Sequence, residues 1–334
     1  MSSLPFRPHP LLRSGHLQTL AIGVIPGDQP PYRAKTIKVE LEDGEAVVVH
    51  EEAGVAVGSN ADLVILIHGL GGDHSSPYLG RLAGRLEAAG FLVWRVDLRG
   101  CGRSSEFCSR PANAGRSHDL AAVVNHAGNL YPGRPIHVVG FSLSGNIVLK
   151  MLGEAGGNAS ALDLTQSALA SAIAVAPPAQ LKVCADNMER WSRWVYTSYY
   201  LKVLDDQVQA QRRRWPNWAR VPEEPVIKSI RQFDARYTAP LSGYRGSEEY
   251  YAAASSLPLL PQITTNTEII ADRHDPIVPY STIAAAKLSE STKLTTTRKG
   301  GHMGYYGLDE RGKLIRWLEH YVAERLKENR IACG

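Results

Sequence analysis

The stretch Ile136–Lys150, IHVVGFSLSGNIVLK, decides how the chain is read. It opens as a short apolar, β-branched run, passes through a turn bordered by small residues, and continues as an apolar segment of helical character. A buried strand that turns sharply into a helix lifts one side chain to the rim of a sheet. Here that side chain is Ser142. A serine hydroxyl is a weak nucleophile unless it is exposed in this way and paired with a base. Small residues two places before and after it let the helix pass close to the strand. Gly140 meets the first requirement. Ser144 stands where a glycine would complete G-x-S-x-G, and Gly145 follows it. The added hydroxymethyl group is expected to shift the helix slightly or to be accommodated facing Gly145. The competing reading is a glycine-serine helix cap in a fold without catalysis.

Outward from this turn the same rhythm recurs. DLVILIHGLGG (62–72) is an apolar run ending in glycines, as expected of a strand buried on both faces. SSPYLGRLAGRLEAAG (75–90) has helical spacing, with serines available to cap it. FLVWRVDLRGCGRSS (91–105) repeats strand and glycine-rich loop, RSHDLAAVVNHAGNLYPG (116–133) reads as a helix, and SAIAVAPP (171–178) as a further strand. Upstream, Asp43-Gly44 between two β-rich runs marks a hairpin. Alternating strands and helices at this spacing predict a mostly parallel, doubly wound α/β sheet. From 179 to 256 the rhythm breaks into a stretch rich in Trp, Tyr and Arg with no aliphatic strand run. It resumes with TEIIADRHDPIVP (267–279) and TKLTTTRKGGHMG (292–304), and closes with a helix predicted over DERGKLIRWLEHYVAERLKEN (309–329). The expected organisation is therefore a core in two parts, 1–178 and 257–334, with a helical lid inserted at 179–256 over the strand ends, where ligands bind in open α/β sheets.

Composition narrows the function classes. The 334 residues carry 37 basic and 33 acidic side chains, a net charge of +4 with the two signs interspersed, which argues against a nucleic-acid binder. Cys101, Cys108, Cys184 and Cys333 show neither C-x-x-C pairing nor metal-ligand spacing, and read as free thiols of a reducing compartment. The N-terminal stretch has prolines and histidine where a signal peptide needs an unbroken apolar run. No segment reaches the roughly 18 apolar residues of a membrane span. A cytoplasmic protein without an integral membrane segment is expected.

A base for Ser142 is best sought at His302 in RKGGHMG, on the loop between the last strand run and the final helix. His118, His126 and His320 lie in helical patterns, and His50 and His137 in strands. An acid must fix the imidazole tautomer and stabilise its charged form. ADRHDPIVP offers Asp272 and Asp275. Asp275, in a loop shaped by prolines past the strand, is preferred, and Asp272 is expected to bond the loop backbone at the strand end. A tetrahedral intermediate needs N–H donors: Leu143, directly after the nucleophile, and Leu70 in HGLGG, where glycines let the backbone approach a substrate. His68 is expected to orient that loop, and Asp97 to shape its own loop through backbone hydrogen bonds. QAQRRRW (209–215) reads as a solvated helix face rather than an anion site. Trp191, Trp194, Tyr196, Tyr199 and Tyr200 are expected either to line an acyl pocket or to pack the lid onto the core; the sequence leaves this open.

With these residues placed, the chain resembles the α/β-hydrolase superfamily throughout its length, and most of all its YheT-like branch. That branch is related to eukaryotic ABHD-type lipid esterases and to yeast enzymes that make medium-chain ethyl esters. The resemblance rests on GHLQTL (15–20), HGLGGDHSSPYL (68–79), GFSLSGNIVLK (140–150), FDARYTAPLSGYRGSEEYYAAASS (233–256), DRHDPIVP (272–279) and GGHMG (300–304) in combination. It implies the α/β-hydrolase fold, with nucleophile Ser142, acid Asp275 and base His302, and esterase or acyltransferase activity on acyl esters. The departure from the pattern is Ser144, where relatives usually keep glycine. No H-x-x-x-x-D acyltransferase motif accompanies the histidine. The expected function is a serine carboxylesterase for short- to medium-chain acyl esters, with no metal, organic cofactor, nucleic acid or obligate protein partner. Transfer of the acyl group to an alcohol, or a non-catalytic binding protein, are the alternatives.

Overall fold

The computed structural model describes residues 5–25, 27–52, 61–157, 162–215 and 226–333. Its centre is a sheet of eight strands: β1 (Lys35–Glu40), β2 (Ala46–Glu51), β3 (Leu63–Ile67), β4 (Leu92–Asp97), β5 (Ile136–Phe141), β6 (Leu169–Val175), β7 (Asn266–Asp272) and β8 (Thr292–Thr297). Their order across the sheet is β1-β2-β4-β3-β5-β6-β7-β8. β3 through β8 run parallel, while β2, joined to β1 in a hairpin that turns at Gly44, is antiparallel to β4.

Parallel pairing requires crossovers, and the amphipathic segments between strands supply them as helices. These are α2 (Pro77–Ala88), α3 (Ser117–Leu130) and α4 (Leu143–Gly156). Helices on both faces explain why the strands read as unbroken apolar runs. Along β3, Leu63, Ile65 and Ile67 face one core with α3 and α4, while Val64 and Leu66 face another with α2 and the C-terminal helix Trp317–Cys333. The order reverses at β3, whose two neighbours are β4 and β5. The loops leaving β3 and β5 therefore diverge and open a crevice at their carboxyl ends.

Between β6 and β7 the described residues hold no strand. They form α5 (Leu181–Met188), α6 (Trp194–Arg214) and the helix Ser247–Ala254, with shorter turns between, and pack through two small apolar clusters, one of which takes in Ala114 and Leu143 from outside the segment. A helix α1 (Gly15–Val24) precedes the sheet.

Two local expectations are corrected. The final helix starts at Trp317, not Asp309, because Leu314–Arg316 pairs with Tyr306–Leu308 in a small hairpin. The Asp309 carboxylate accepts hydrogen bonds from the N–H groups of Arg311 (2.9 Å) and Lys313 (2.8 Å), and Gly312 takes φ 76°, so turn chemistry outcompetes helix propensity there. Ser76 sits at the N-cap of α2, but its side chain makes no cap bond. Its hydroxyl instead accepts from the N–H of Asp73 (3.3 Å), and Pro77 at the first helical position starts the helix.

At the β5-to-α4 turn the helix passes close against the strand. A side-chain carbon on Gly140 would fall well inside the Ser144 carbonyl oxygen. Gly140→Ala should therefore overpack the turn and cost about 1–3 kcal/mol, read as a lowered urea midpoint with an unchanged slope.

Candidate active site

Ser142 follows β5 with φ 51° and ψ −116°, a conformation that a non-glycine residue adopts only when its surroundings impose it. They do so from three sides. Its N–H donates to the Val175 carbonyl of β6 (2.8 Å), and Gly140 admits the first turn of α4. Gly69 lies so close that an added carbon would sit 3.2 Å from the Ser142 Cβ. The fully buried Ser144 does not face Gly145. Its hydroxyl donates to the His68 carbonyl at the end of β3, so it fastens the elbow to the neighbouring loop. The close approach that a glycine at 144 would allow occurs one residue on. A carbon on Gly145 would lie 3.2 Å from both the Val175 carbonyl and Pro177.

The structure brings the other two predicted side chains to this hydroxyl. His302 Nε2 lies 2.9 Å from Ser142 Oγ, and its Nδ1 lies 2.8 Å from Asp275 Oδ2. The second oxygen of Asp275 accepts the N–H groups of Ile277 (2.8 Å) and Val278 (2.9 Å), so the D-P-I-V-P loop holds the carboxylate in one orientation. Asn187 of α5 clamps this loop by donating to the carbonyls of Pro276 (2.9 Å) and Ile277 (3.0 Å). Asp272 is occupied elsewhere. It accepts from the N–H groups of His274 and Gly300 and from the Thr297 hydroxyl, as expected of a strand-end residue.

Leu70 and Leu143 flank Ser142, and among the described residues neither N–H is spent on a protein acceptor. The loop that carries Leu70 is tied to its neighbours by hydrogen bonds. His68 accepts the Leu98 N–H at Nε2 (3.1 Å), so Nδ1 bears the proton and donates to the Gly69 carbonyl (2.7 Å). Complete burial lowers its pKa and keeps the ring neutral. The Gly69 N–H donates to the Tyr78 hydroxyl (3.0 Å), and Gly71 takes φ 74°.

Two cavities meet at Ser142. One, of about 150 Å³, runs beneath the inserted helices and is walled by Leu143, Met188, Leu204, Phe233, Tyr237 and Tyr251. The other, of about 500 Å³, opens on the His302 side between α1 and α6, past Leu20, Ile22, Tyr78 and Tyr199. Tyr200 borders both. Of the five aromatic residues singled out in the sequence, Tyr196, Tyr199 and Tyr200 line a cavity. Trp191 and Trp194 line neither of these two cavities and are largely exposed. Arg213 and Arg214 are exposed at the end of α6, in keeping with a solvated face.

A sequence profile for the α/β-hydrolase fold matches residues 62–307, well over half of the chain. The chain belongs to the α/β-hydrolase fold family. This α/β-hydrolase is 27% identical to the Escherichia coli protein named putative esterase YheT, over 97% of this chain and 94% of that one. It is 26% identical to mouse phospholipase ABHD3, over 83% of this chain and 67% of the relative. With yeast medium-chain fatty acid ethyl ester synthase/esterase 2 it shares 28% identity over 78% of the chain, spanning 61% of that enzyme. These relatives are those of the YheT-like branch. Among solved structures, the Pyrococcus furiosus esterase Pf2001 superposes with a TM-score of 0.58 at 14% identity, covering 98% of this chain and 97% of that one. Est1E from Butyrivibrio proteoclasticus gives 0.55 at 15%, covering 89% and 99%. At these identities the structural likeness speaks for the fold alone.

Three features of this α/β-hydrolase escaped the reading of its sequence. First, α1 braces the His302 loop. Thr19 accepts the His302 N–H at its hydroxyl (2.8 Å), and the buried Gln18 amide donates to the Tyr306 carbonyl (2.9 Å) and accepts the Tyr306 N–H (2.7 Å). The GHLQTL stretch was visible, but nothing local says which distant loop it serves. Second, Asp97 bonds more than backbone. Besides the N–H groups of His74 (2.6 Å) and Arg103 (2.8 Å), it takes His50 Nε2 (2.9 Å) and His74 Nδ1 (3.0 Å), which hold its pKa well below the usual range against the cost of burial. His50, His74 and Asp97 lie close enough to suggest a metal site. The two imidazoles, however, stack face to face at 3.5 Å and 12°, so their in-plane lone pairs do not converge on one ion. Cys101, Cys108 and Cys184 are buried free thiols; the Cys333 side chain lies outside the described residues.

Third, Asp234 stands in the wall of the smaller cavity, in the π-helical stretch Asp234–Thr238. Burial pushes its pKa up to about 6, although the Tyr251 hydroxyl donates to it (2.7 Å) and Arg231 lies nearby. A carboxyl whose pKa is higher folded than unfolded destabilises the fold above its folded pKa, and the penalty fades as pH falls toward the ordinary value of 3.8. Asp234→Asn should therefore raise stability at pH 8, by up to about 3 kcal/mol at 1.36 kcal/mol per pH unit. The gain in melting temperature over wild type should shrink between pH 6 and pH 4. Ser144→Ala, which leaves the buried His68 carbonyl without its donor, should cost about 1–3 kcal/mol in chemical unfolding and lower kcat as the elbow loosens.

Proposed function

We propose that the protein is a serine carboxylesterase cleaving short- to medium-chain acyl esters through an acyl-enzyme. The observation that carries this reading is the hydrogen-bonded chain from Ser142 Oγ through His302 to Asp275, at 2.9 and 2.8 Å. His302 Nε2 takes the Ser142 proton as Oγ attacks the ester carbonyl carbon, and Asp275 stabilises the imidazolium. The N–H groups of Leu70 and Leu143 hold the oxyanion; one such donor is worth about 3 kcal/mol of barrier. His302 then protonates the leaving alkoxide as the C–O bond breaks, and a water activated by the same ring releases the acid and restores Ser142. The described residues between 179 and 256 act as a lid over the crevice. The acyl chain occupies the smaller apolar cavity beneath that lid, and the alcohol leaves on the His302 side, where the larger cavity opens.

The relatives support an ester substrate: the E. coli protein is named an esterase, the mouse protein a phospholipase and the yeast protein an ester synthase/esterase. The roomy cavity beside His302 favours one second reading, transfer of the acyl group to an alcohol held there in place of water. The Ser144–His68 bond weighs against a decayed, non-catalytic elbow.

A fluorophosphonate probe should label the wild type at Ser142 and leave Ser142→Ala unlabelled, with hydrolysis of p-nitrophenyl butyrate falling at least a thousandfold in the variant. Equal labelling of both proteins would sink the proposal. Ethyl ester formed in the presence of ethanol at the expense of free acid would select acyl transfer.

A further inference from the structure

Helix α1 is amphipathic in the inverted sense. Its buried face, Gly15, Gln18 and Ala21, is largely polar or small and clasps the His302 loop, whereas Leu17, Leu20 and Val24, spaced i, i+3, i+7 along one side, face solvent. The start of α6 and the turn before it do the same. Trp191 is 78% exposed, Trp194 63% and Tyr199 64%, at the i, i+3, i+8 spacing of one helix face, with Val195 beside them. The two elements adjoin. His16 Nδ1 lies 2.9 Å from the Tyr196 hydroxyl, and Arg193 donates to His16 Nε2 (3.0 Å). Between them opens the larger cavity that reaches Ser142, with Leu20 and Ile22 on one lip and Val195 and Tyr199 on the other.

Exposed tryptophans and leucines gathered on two neighbouring helices are unusual on a soluble surface. Charge selects what would cover them. Residues 5–25 carry Arg7 and Arg13, and residues 190–200 carry Arg190 and Arg193, with no Asp or Glu in either stretch, although acids and bases nearly balance over the whole chain; further along α6, Lys202 is paired with Asp206 (2.7 Å). Apolar and aromatic side chains set beside an excess of arginines match the boundary between acyl chains and anionic headgroups. A second copy of this chain would have to bring the same cations face to face.

We infer that α1 and the start of α6 form a docking surface for an anionic lipid bilayer, which places the mouth of the cavity against the membrane. This rests on the esterase reading only for its consequence, that the ester is drawn from a lipid assembly. Wild-type protein should cosediment with phosphatidylcholine vesicles containing 30% phosphatidylglycerol, and at least tenfold less with pure phosphatidylcholine. The double variant Trp191→Ser, Trp194→Ser should lose vesicle binding at least tenfold while hydrolysing dissolved p-nitrophenyl butyrate within twofold of wild type. Ser142→Ala should bind vesicles like wild type, so that loss of the esterase reading leaves the docking result standing. Equal binding by the double variant, or no wild-type binding to the anionic vesicles, would overturn the inference. So would a stable dimer in light scattering that the double variant dissolves, because a second copy would then cover the surface.

Discussion

The site depends on one backbone residue held where it would not otherwise rest. Ser142 sits at φ 51° as the single residue between β5 and α4. Conformations of this kind cost of order 1–3 kcal/mol and survive only when the surrounding packing over-determines them. Here three neighbours do so: β6 accepts the Ser142 N–H, Gly140 lets α4 close in, and Gly69 occupies the space in front of the side chain. Ser144 adds a fourth constraint by bonding the loop after β3. The residue that breaks the motif thus couples the elbow to the backbone that carries Leu70.

The imidazole and carboxylate are held from outside the sheet. Neither belongs to a regular element, and both lie on loops whose geometry is fixed by segments far away in sequence: α1 braces the His302 loop through Thr19 and Gln18, and α5 braces the Asp275 loop through Asn187. A side chain of Gly15 would collide with His274 of the acid loop, and one on Gly301 with Gly15 itself, so the three segments form a single packed unit. Pre-organisation of this kind lets hydrogen bonds form without reorganisation during a reaction.

The same helix joins the interior to the surface. Because the inner face of α1 is committed to polar bonds with the His302 loop, its apolar residues are left outside, beside those of α6. The site mouth thereby acquires an apolar rim with a positive border. Asp234 represents the opposite compromise, an acid kept in the cavity wall, where burial raises its pKa although the Tyr251 hydroxyl donates to it.

Local chemistry sufficed for much of this. The strand–elbow–helix at Ser142, the alternation of buried strands and helices, and the rim loops bearing Asp275 and His302 are written in short-range patterns: apolar runs buried on both faces, glycines at turns, and the chain order of serine, acid and base. Where a short-range pattern misled, a side chain had found a different local partner, as when Asp309 bound its own turn and delayed the last helix. Only the tertiary structure decided that Ser144 faces His68 rather than Gly145, that Asp97 gathers two histidines, that α1 serves a loop nearly three hundred residues away, and that Trp191 and Trp194 are largely exposed while Tyr200 lines a cavity. Periodicity in a chain specifies which residues share a face; which partner that face meets depends on contacts between distant segments, and those exist only once the chain has closed on itself.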